Sequence, residues 1–197
     1  MKKMNLPNIL SLLRVFLVPL FVASMLFMHG GTLLGCIVPA AIYIITGLTD
    51  MLDGKIARKY NLVTDFGKFI DPLADKFMVL GSMFAILVRM MLDGETTLAF
   101  VFVWVALIIL LRELGVTSLR LVVAGKEGIV VAASMLGKIK TVSQMVGTVI
   151  IIVEPILPIF CENHILSYVA MVIMTFTTLF SGFDYLRAYL PYIDSNK

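Results

Sequence analysis

Charged side chains are scarce in this sequence. Asp, Glu, Lys and Arg make up 15% of its 197 residues, where soluble domains carry about 25%. That deficit excludes a large aqueous domain. Cysteine is nearly absent too: Cys36 and Cys161 lie in or beside apolar stretches and have no metal-ligand spacing. They imply no disulfide framework and read as small core or lipid-facing residues. Internal repeats, low-complexity stretches and basic patches interleaved with stacking aromatics are also missing, which removes solenoids, flexible linkers and nucleic-acid binding.

What is present is apolar: 60% of the residues are hydrophobic and the mean hydropathy is +1.00. Long apolar stretches recur at residues 12–28, 33–52, 69–91, 98–123, 142–159 and 165–189, separated by Gly, Pro, Asn or charged residues. At about 20 residues per span, this predicts an all-α polytopic membrane protein with six transmembrane helices, forming a single domain over residues 1–197. No strand ladder is expected. Met1, Lys2 and Lys3 resemble the start of a signal peptide, but no small-residue cleavage site follows and Arg14 interrupts the apolar run, so it is expected to stay as the first span. Residues 1–10 have a weak amphipathic face that suggests a short surface helix. Pro19 is expected to kink the first span.

Taking the connections alternately, one side of the membrane receives fifteen basic residues and the other only Arg89. Cytoplasmic connections carry the positive excess, so both termini are expected in the cytoplasm, with the basic side meeting anionic lipid headgroups.

Four aspartates stand at the cytoplasmic ends of the second and third stretches. Residues three or four apart share a helix face, so Asp50 pairs with Asp53 and Asp71 with Asp75. Folding the intervening segment, which holds Asn61, Thr64 and Gly67, would face the two pairs across a hairpin and enclose one small volume. Asp65 reads as a solvated loop residue. Like charges at a membrane interface need a cation. Mg²⁺ suits carboxylate oxygens and substrate phosphates, and two such ions can serve phosphoryl transfer. Lys55 and Arg58 are the alternative, as internal counter-ions of a salt-bridged helix end. Small residues Gly54, Ala57 and Gly67 would let a helix or a flat ligand approach the backbone.

These residues form the pattern Asp50, Asp53, Gly54, Ala57, Arg58, then eight residues, then Gly67, Asp71 and Asp75. The pattern resembles the signature of the CDP-alcohol phosphotransferase family at every defined position. The resemblance implies six membrane helices, a homodimer, and a reaction in which an alcohol attacks the lipid-linked phosphate and CMP leaves. It implies that Asp50, Asp53 and Asp71 bind metal, Mg²⁺ or Mn²⁺ and two ions, with Asp75 as metal-proximal general base. It places Gly54, Ala57, Arg58 and Gly67 around the CDP group, together with Asn8, Ser11 and Arg14, which lie at three-residue steps on one helix face. Ser11 also reads as an ordinary helix-start residue.

Further stretches, residues 6–10, 71–76, 112–120 and 137–144, most resemble family members that join CDP-diacylglycerol to sn-glycerol 3-phosphate in phospholipid synthesis at the bacterial cytoplasmic membrane, with the active site facing the cytoplasm. A phosphorylated acceptor needs cationic donors, and Arg112, Arg120, Lys138 and Lys140 lie on the right side. Lys126, Lys138 and Lys140 also read as lipid-headgroup anchors. Arg112, followed by a Glu113 that should point elsewhere, is expected to serve the substrate phosphate or an aspartate. The chain beyond Val146 offers little chemistry, and His29 and His164 read as solvated. The alternatives are the same chemistry on phosphatidylglycerol, serine or an inositol phosphate, a membrane prenyltransferase, whose acidic motifs form two separated clusters, and an ion-coupled transporter, whose acids would sit near the midplane.

Overall fold

Threonine starts two of the helices by the same local device. Thr32 Oγ1 accepts the Gly35 N–H at 3.1 Å and Thr64 Oγ1 accepts the Gly67 N–H at 3.0 Å, each satisfying a backbone donor that has no helical partner. In the computed structural model, residues 5–60, 64–127, 135–157 and 163–190 are described, apart from the side chains of residues 57–59, 68 and 124–127. Helices α1 (Leu6–Phe27), α2 (Leu33–Lys59), α3 (Asp65–Leu92), α4 (Thr96–Glu127), α5 (Met135–Val153) and α6 (Ile165–Tyr189) account for most of them, with a short 3₁₀ turn at Glu154–Ile156. The described residues include no strand, as expected for an all-α protein.

The helices pack as a ring in the order α1, α2, α5, α6, α4, α3. Its apolar interior includes Val18, Phe21, Ile86, Phe102, Ile109, Met171 and Met174, each at most 2% exposed. Small residues set the closest crossings. A Cβ on Gly81 of α3 would meet Val18 of α1 at 2.8 Å, and one on Gly147 of α5 would collide with Met174 of α6. The outer faces are apolar as well: Phe16, Phe27, Phe69, Phe100, Leu121 and Phe183 are all more than two-thirds exposed. Such a surface is a liability in water and the required one in lipid.

Five helices, α1, α2, α4, α5 with its 3₁₀ extension, and α6, contain segments long and apolar enough to cross a membrane. The chain is therefore an integral membrane protein. Helix α3 has the length, about 42 Å for its 28 residues, but its uncharged stretch runs only from Phe77 to Val88, between Lys76 and Arg89.

Several local expectations are corrected. Residues 6–10 are the first turns of α1 and form no separate surface helix. Asp65 is the first residue of α3, one position after the capping Thr64, and does not lie in a loop. His164 is not solvated: it stands in the left-handed region at φ 48°, immediately before α6, with Nε2 2.9 Å from Glu95 Oε2. Beyond Val146 the chain does hold buried polar chemistry. Glu154 is fully buried, accepts the Leu166 and Ser167 backbone N–H groups at 2.7 and 2.9 Å and the Ser167 hydroxyl, and so places a carboxylate at the positive end of α6. Cys36 is buried, and Cys161 lies outside the described residues.

Candidate active site

The antiparallel ring brings the start of α1, the end of α2, the start of α3, the end of α4, the start of α5 and the end of α6 to one end of the bundle. All four signature aspartates and the four basic residues expected at the acceptor are on these segments. The opposite end holds Arg89, which bonds Asp93 at 2.7 Å and also donates to the Met25 carbonyl.

Helix α1 supplies the buried side of the site. Arg14 is 1% exposed; its Nη1 is 2.5 Å from Asp50 Oδ1 and its Nη2 donates to Asp53 Oδ2. One guanidinium thus spans the first aspartate pair, which a helical i,i+3 spacing turns to a common face. One turn earlier, the Ser11 hydroxyl has three acceptors within reach: Pro7 O at 3.0 Å, Asp53 Oδ2 at 3.3 Å and Asp71 Oδ1 at 2.5 Å. Ser11 is therefore a link between α2 and α3 and not merely a residue of the helix start. Asn8 sits one turn further out, where its Oδ1 accepts the Thr64 hydroxyl at 3.0 Å. Gly67 is needed here: an added Cβ would stand 3.0 Å from Asn8 Oδ1 and 3.3 Å from Thr64 Oγ1. Asn8, Ser11, Arg14 and Gly67 are thus brought together with the acids. Gly54 directly follows Asp53 on α2, while the Ala57 and Arg58 side chains lie outside the described residues.

The four carboxylates do not close around one point. Among the described residues, no three His, Cys, Asp or Glu side chains are near enough to hold a common metal ion. The reason is visible in the packing: Arg14 lies between Asp50 and Asp53, and Ser11 between Asp53 and Asp71. Arg14, not Lys55, is the cation at the pair and offsets part of its charge; Lys55 is exposed. The donor chemistry nevertheless fits a hard divalent cation, since all four candidate ligands are carboxylates, on two helices that both pack against α1. Arg14 Nε is buried without a hydrogen-bond partner and its Nη1 is poorly aligned with one, so the cation in place is incompletely satisfied.

Inside the ring lies a cavity of about 550 Å³. Asp50 and Asp75 line it, and so do Arg112, Arg120, Lys138 and Lys140. The expectation that Glu113 points away from Arg112 is corrected. Arg112 Nη1 bonds Glu113 Oε1 at 3.1 Å, because the long guanidinium arm folds back along the helix, and its Nη2 donates to Ser181 at 2.6 Å. Arg120 donates to the Tyr185 hydroxyl at 2.5 Å, and the Tyr185 ring lies 5.3 Å from the Arg112 guanidinium and 4.9 Å from that of Arg120. Lys140 is buried against Glu113, whereas Lys138 is exposed at the rim.

Sequence reasoning missed Glu113, Lys76, Ser181 and Tyr185 as parts of this cluster. A signal existed for Glu113, an acid that follows Arg112 within an otherwise apolar part of a membrane helix and ordinarily demands a partner. For Ser181 and Tyr185 the i,i+4 spacing, which puts both on one face of the last helix, was the indication.

A membrane-embedded ring with two aspartate pairs and a cavity lined by both acids and cations at one end suits a protein that handles a phosphate-bearing substrate at the membrane. The chain belongs to the CDP-alcohol phosphatidyltransferase family, whose model matches residues 4–181. It is 40% identical over 190 residues to the CDP-diacylglycerol–glycerol-3-phosphate 3-phosphatidyltransferase of Bacillus subtilis, covering 92% of this chain and 93% of that protein. It is 37% identical over 182 residues to a probable phosphatidylglycerophosphate synthase of Mycobacterium tuberculosis, covering 92% and 80%. A Rickettsia felis protein with the same name as the Bacillus one is 32% identical over 188 residues, covering 95% and 97%.

Proposed function

We infer that the chain transfers the phosphatidyl group of CDP-diacylglycerol to sn-glycerol 3-phosphate, giving phosphatidylglycerophosphate and CMP. The observation that carries this reading is a cavity lined both by the signature carboxylates Asp50 and Asp75 and by the cations Lys76, Arg112, Arg120, Lys138 and Lys140, in a chain whose relatives bear the names of that reaction. A carboxylate at Asp75 takes the proton of the acceptor hydroxyl as its oxygen bonds to the phosphorus that carries diacylglycerol. The bond from that phosphorus to the bridging oxygen breaks, and CMP leaves with the electron pair. Arg112, Arg120, Lys138 and Lys140 hold the acceptor's phosphate, a dianion near neutral pH that calls for charge-assisted donors. Asn8, Ser11, Arg14, Gly54, Ala57, Arg58 and Gly67 border the CDP group. Asp50, Asp53, Asp71 and Asp75 would hold two Mg²⁺ or Mn²⁺ ions, which offset diphosphate charge and improve CMP as a leaving group.

In this reading α3 is the sixth span. Support comes from its place in the ring between α1 and α4 and from its length of 28 residues. Both termini and the active site then face the cytoplasm, consistent with the fifteen-to-one division of basic residues. The protein works as a homodimer in a bacterial cytoplasmic membrane. The test is CMP release by purified protein in detergent with CDP-diacylglycerol and Mg²⁺, comparing sn-glycerol 3-phosphate with serine, inositol phosphate and phosphatidylglycerol. Release that depends on glycerol phosphate supports the reading. Release with another acceptor alone overturns the substrate assignment.

A further inference from the structure

Glu113 is 6% exposed and, among the described residues, carries more cationic contacts than any acid of the signature. Its Oε2 accepts from Lys76 Nζ of α3 at 2.5 Å, and its Oε1 accepts from Arg112 of its own helix at 3.1 Å and from Lys140 of α5. Three cations from three helices therefore converge on one carboxylate, and the charge does not balance: even with Asp75, 3.9 Å from Lys76, counted beside Glu113, three positive groups against two negative leave one uncompensated positive charge. A purely structural ion pair would be neutral, because surplus charge in a low-dielectric interior is costly. The surplus here lies on a cavity of about 550 Å³ lined by Lys76, Arg112, Glu113 and Lys140. Arg112 Nε is also buried without a partner, a donor left for an oxygen that the protein does not supply.

We propose that Glu113 is a positioning residue for the acceptor, holding Lys76, Arg112 and Lys140 as one preformed cradle for a phosphomonoester dianion. This rests on the reaction proposed above. Without the carboxylate the three cations repel one another and swing toward separate partners; with it, they are fixed before the acceptor arrives. Lys76 Nζ also lies 3.9 Å from Asp75 Oδ2, so the cradle is tied to the carboxylate that receives the hydroxyl proton. The acceptor is thereby held by its phosphate at a set distance from Asp75. Acceptors without a phosphate gain nothing from the cradle.

The experiment is steady-state kinetics on the full chain in detergent, varying glycerol phosphate and CDP-diacylglycerol in turn, for the unsubstituted protein, Glu113→Gln and Glu113→Asp. Glu113→Gln is expected to raise KM for glycerol phosphate about ten-fold while KM for CDP-diacylglycerol stays within about two-fold. Glu113→Asp keeps the charge but withdraws it by one methylene, so its rise is smaller, about three-fold. An equal rise in both KM values, or an unchanged KM for glycerol phosphate, overturns the proposal. Should Glu113→Gln not fold, Glu113→Asp decides on the same criterion. If the unsubstituted protein releases no CMP with glycerol phosphate, the reaction falls and this inference with it; normal release with unshifted variants overturns this inference alone.

Discussion

Replacing Arg14 with methionine keeps most of the side chain's volume and removes its charge, which leaves Asp50 and Asp53 without the group that spans them. Breaking a buried ion pair by deleting one partner costs about 3–5 kcal/mol. The lower end applies here, because Asp53 is buried at 7% side-chain exposure but Asp50 is 40% exposed and partly screened by water. A loss of about 3 kcal/mol corresponds to a fall in Tm of about 6–12 °C for a chain of this size. The assay is thermal unfolding in detergent, with and without millimolar Mg²⁺. In the absence of divalent ions the variant should melt within that interval below the unsubstituted protein. Mg²⁺ should raise the variant's Tm by more, since a cation at the aspartates supplies what the missing guanidinium supplied. A variant that melts within about 2 °C of the unsubstituted protein without metal would refute the claim that Arg14 balances this pair. Equal Mg²⁺ shifts in both proteins would refute the claim that ion and guanidinium serve the same carboxylates.

Asp75→Asn should abolish CMP release while CDP-diacylglycerol binding, read by isothermal titration, persists; full turnover would remove Asp75 as the base. Lys140→Ala should raise KM for glycerol phosphate more than Lys138→Ala does, because Lys140 is buried in the Glu113 cluster and Lys138 is exposed; equal effects on both substrates would indicate a general folding defect. Gly67→Val places side-chain atoms where a Cβ alone already stands 3.0 Å from Asn8 Oδ1. It should weaken CDP-diacylglycerol binding without altering KM for the acceptor, and unchanged lipid binding would argue against Asn8 and Gly67 bordering the nucleotide. Glu154→Leu leaves two backbone donors of α6 and the Ser167 hydroxyl unsatisfied, at about 1–3 kcal/mol each at most; Tm should fall while both KM values hold, and a selective change in either KM would contradict its purely structural role.

The parts of this protein legible in its sequence are those governed by short-range geometry. Asp50 with Asp53 and Asp71 with Asp75 were found because helical spacing alone places each pair on one face. The apolar stretches located the helices because lipid tolerates little else. Boundaries were less legible where polar residues continue a helix. Helix α2 runs past Leu52 to Lys59, and α5 begins at Met135, because backbone hydrogen bonding does not require apolar side chains near the membrane surface. What could not be read was the pairing of charges across the ring. Lys55 is a reasonable counter-ion by proximity in the chain, but it is exposed and the buried α1 face brings Arg14 to the aspartates; the Arg58 side chain lies outside the described residues. Arg112 was expected to ignore its neighbour Glu113, since adjacent helical residues diverge at Cβ; the length and fork of a guanidinium overcome that divergence.

Taken together, the two charge clusters obey one rule from opposite signs. On the α1 side an excess of carboxylate is met by a single buried guanidinium; at the cavity an excess of cation is met by a single buried carboxylate. Neither cluster is neutral by itself, and each departs from neutrality with the sign opposite to the group it is proposed to receive, divalent cations on one side and a phosphate dianion on the other. Full removal of the excess would stabilise the empty protein but erase the attraction that loads it. Full exposure of the excess would spread the side chains apart and cost the geometry. Arg14 and Glu113 hold the middle course, and this is why substitution of either should disturb a ligand's affinity and the fold's stability in different proportions: Arg14 mainly stability, Glu113 mainly acceptor KM. Equal proportions in both would mean that the two residues are ordinary structural ion-pair partners.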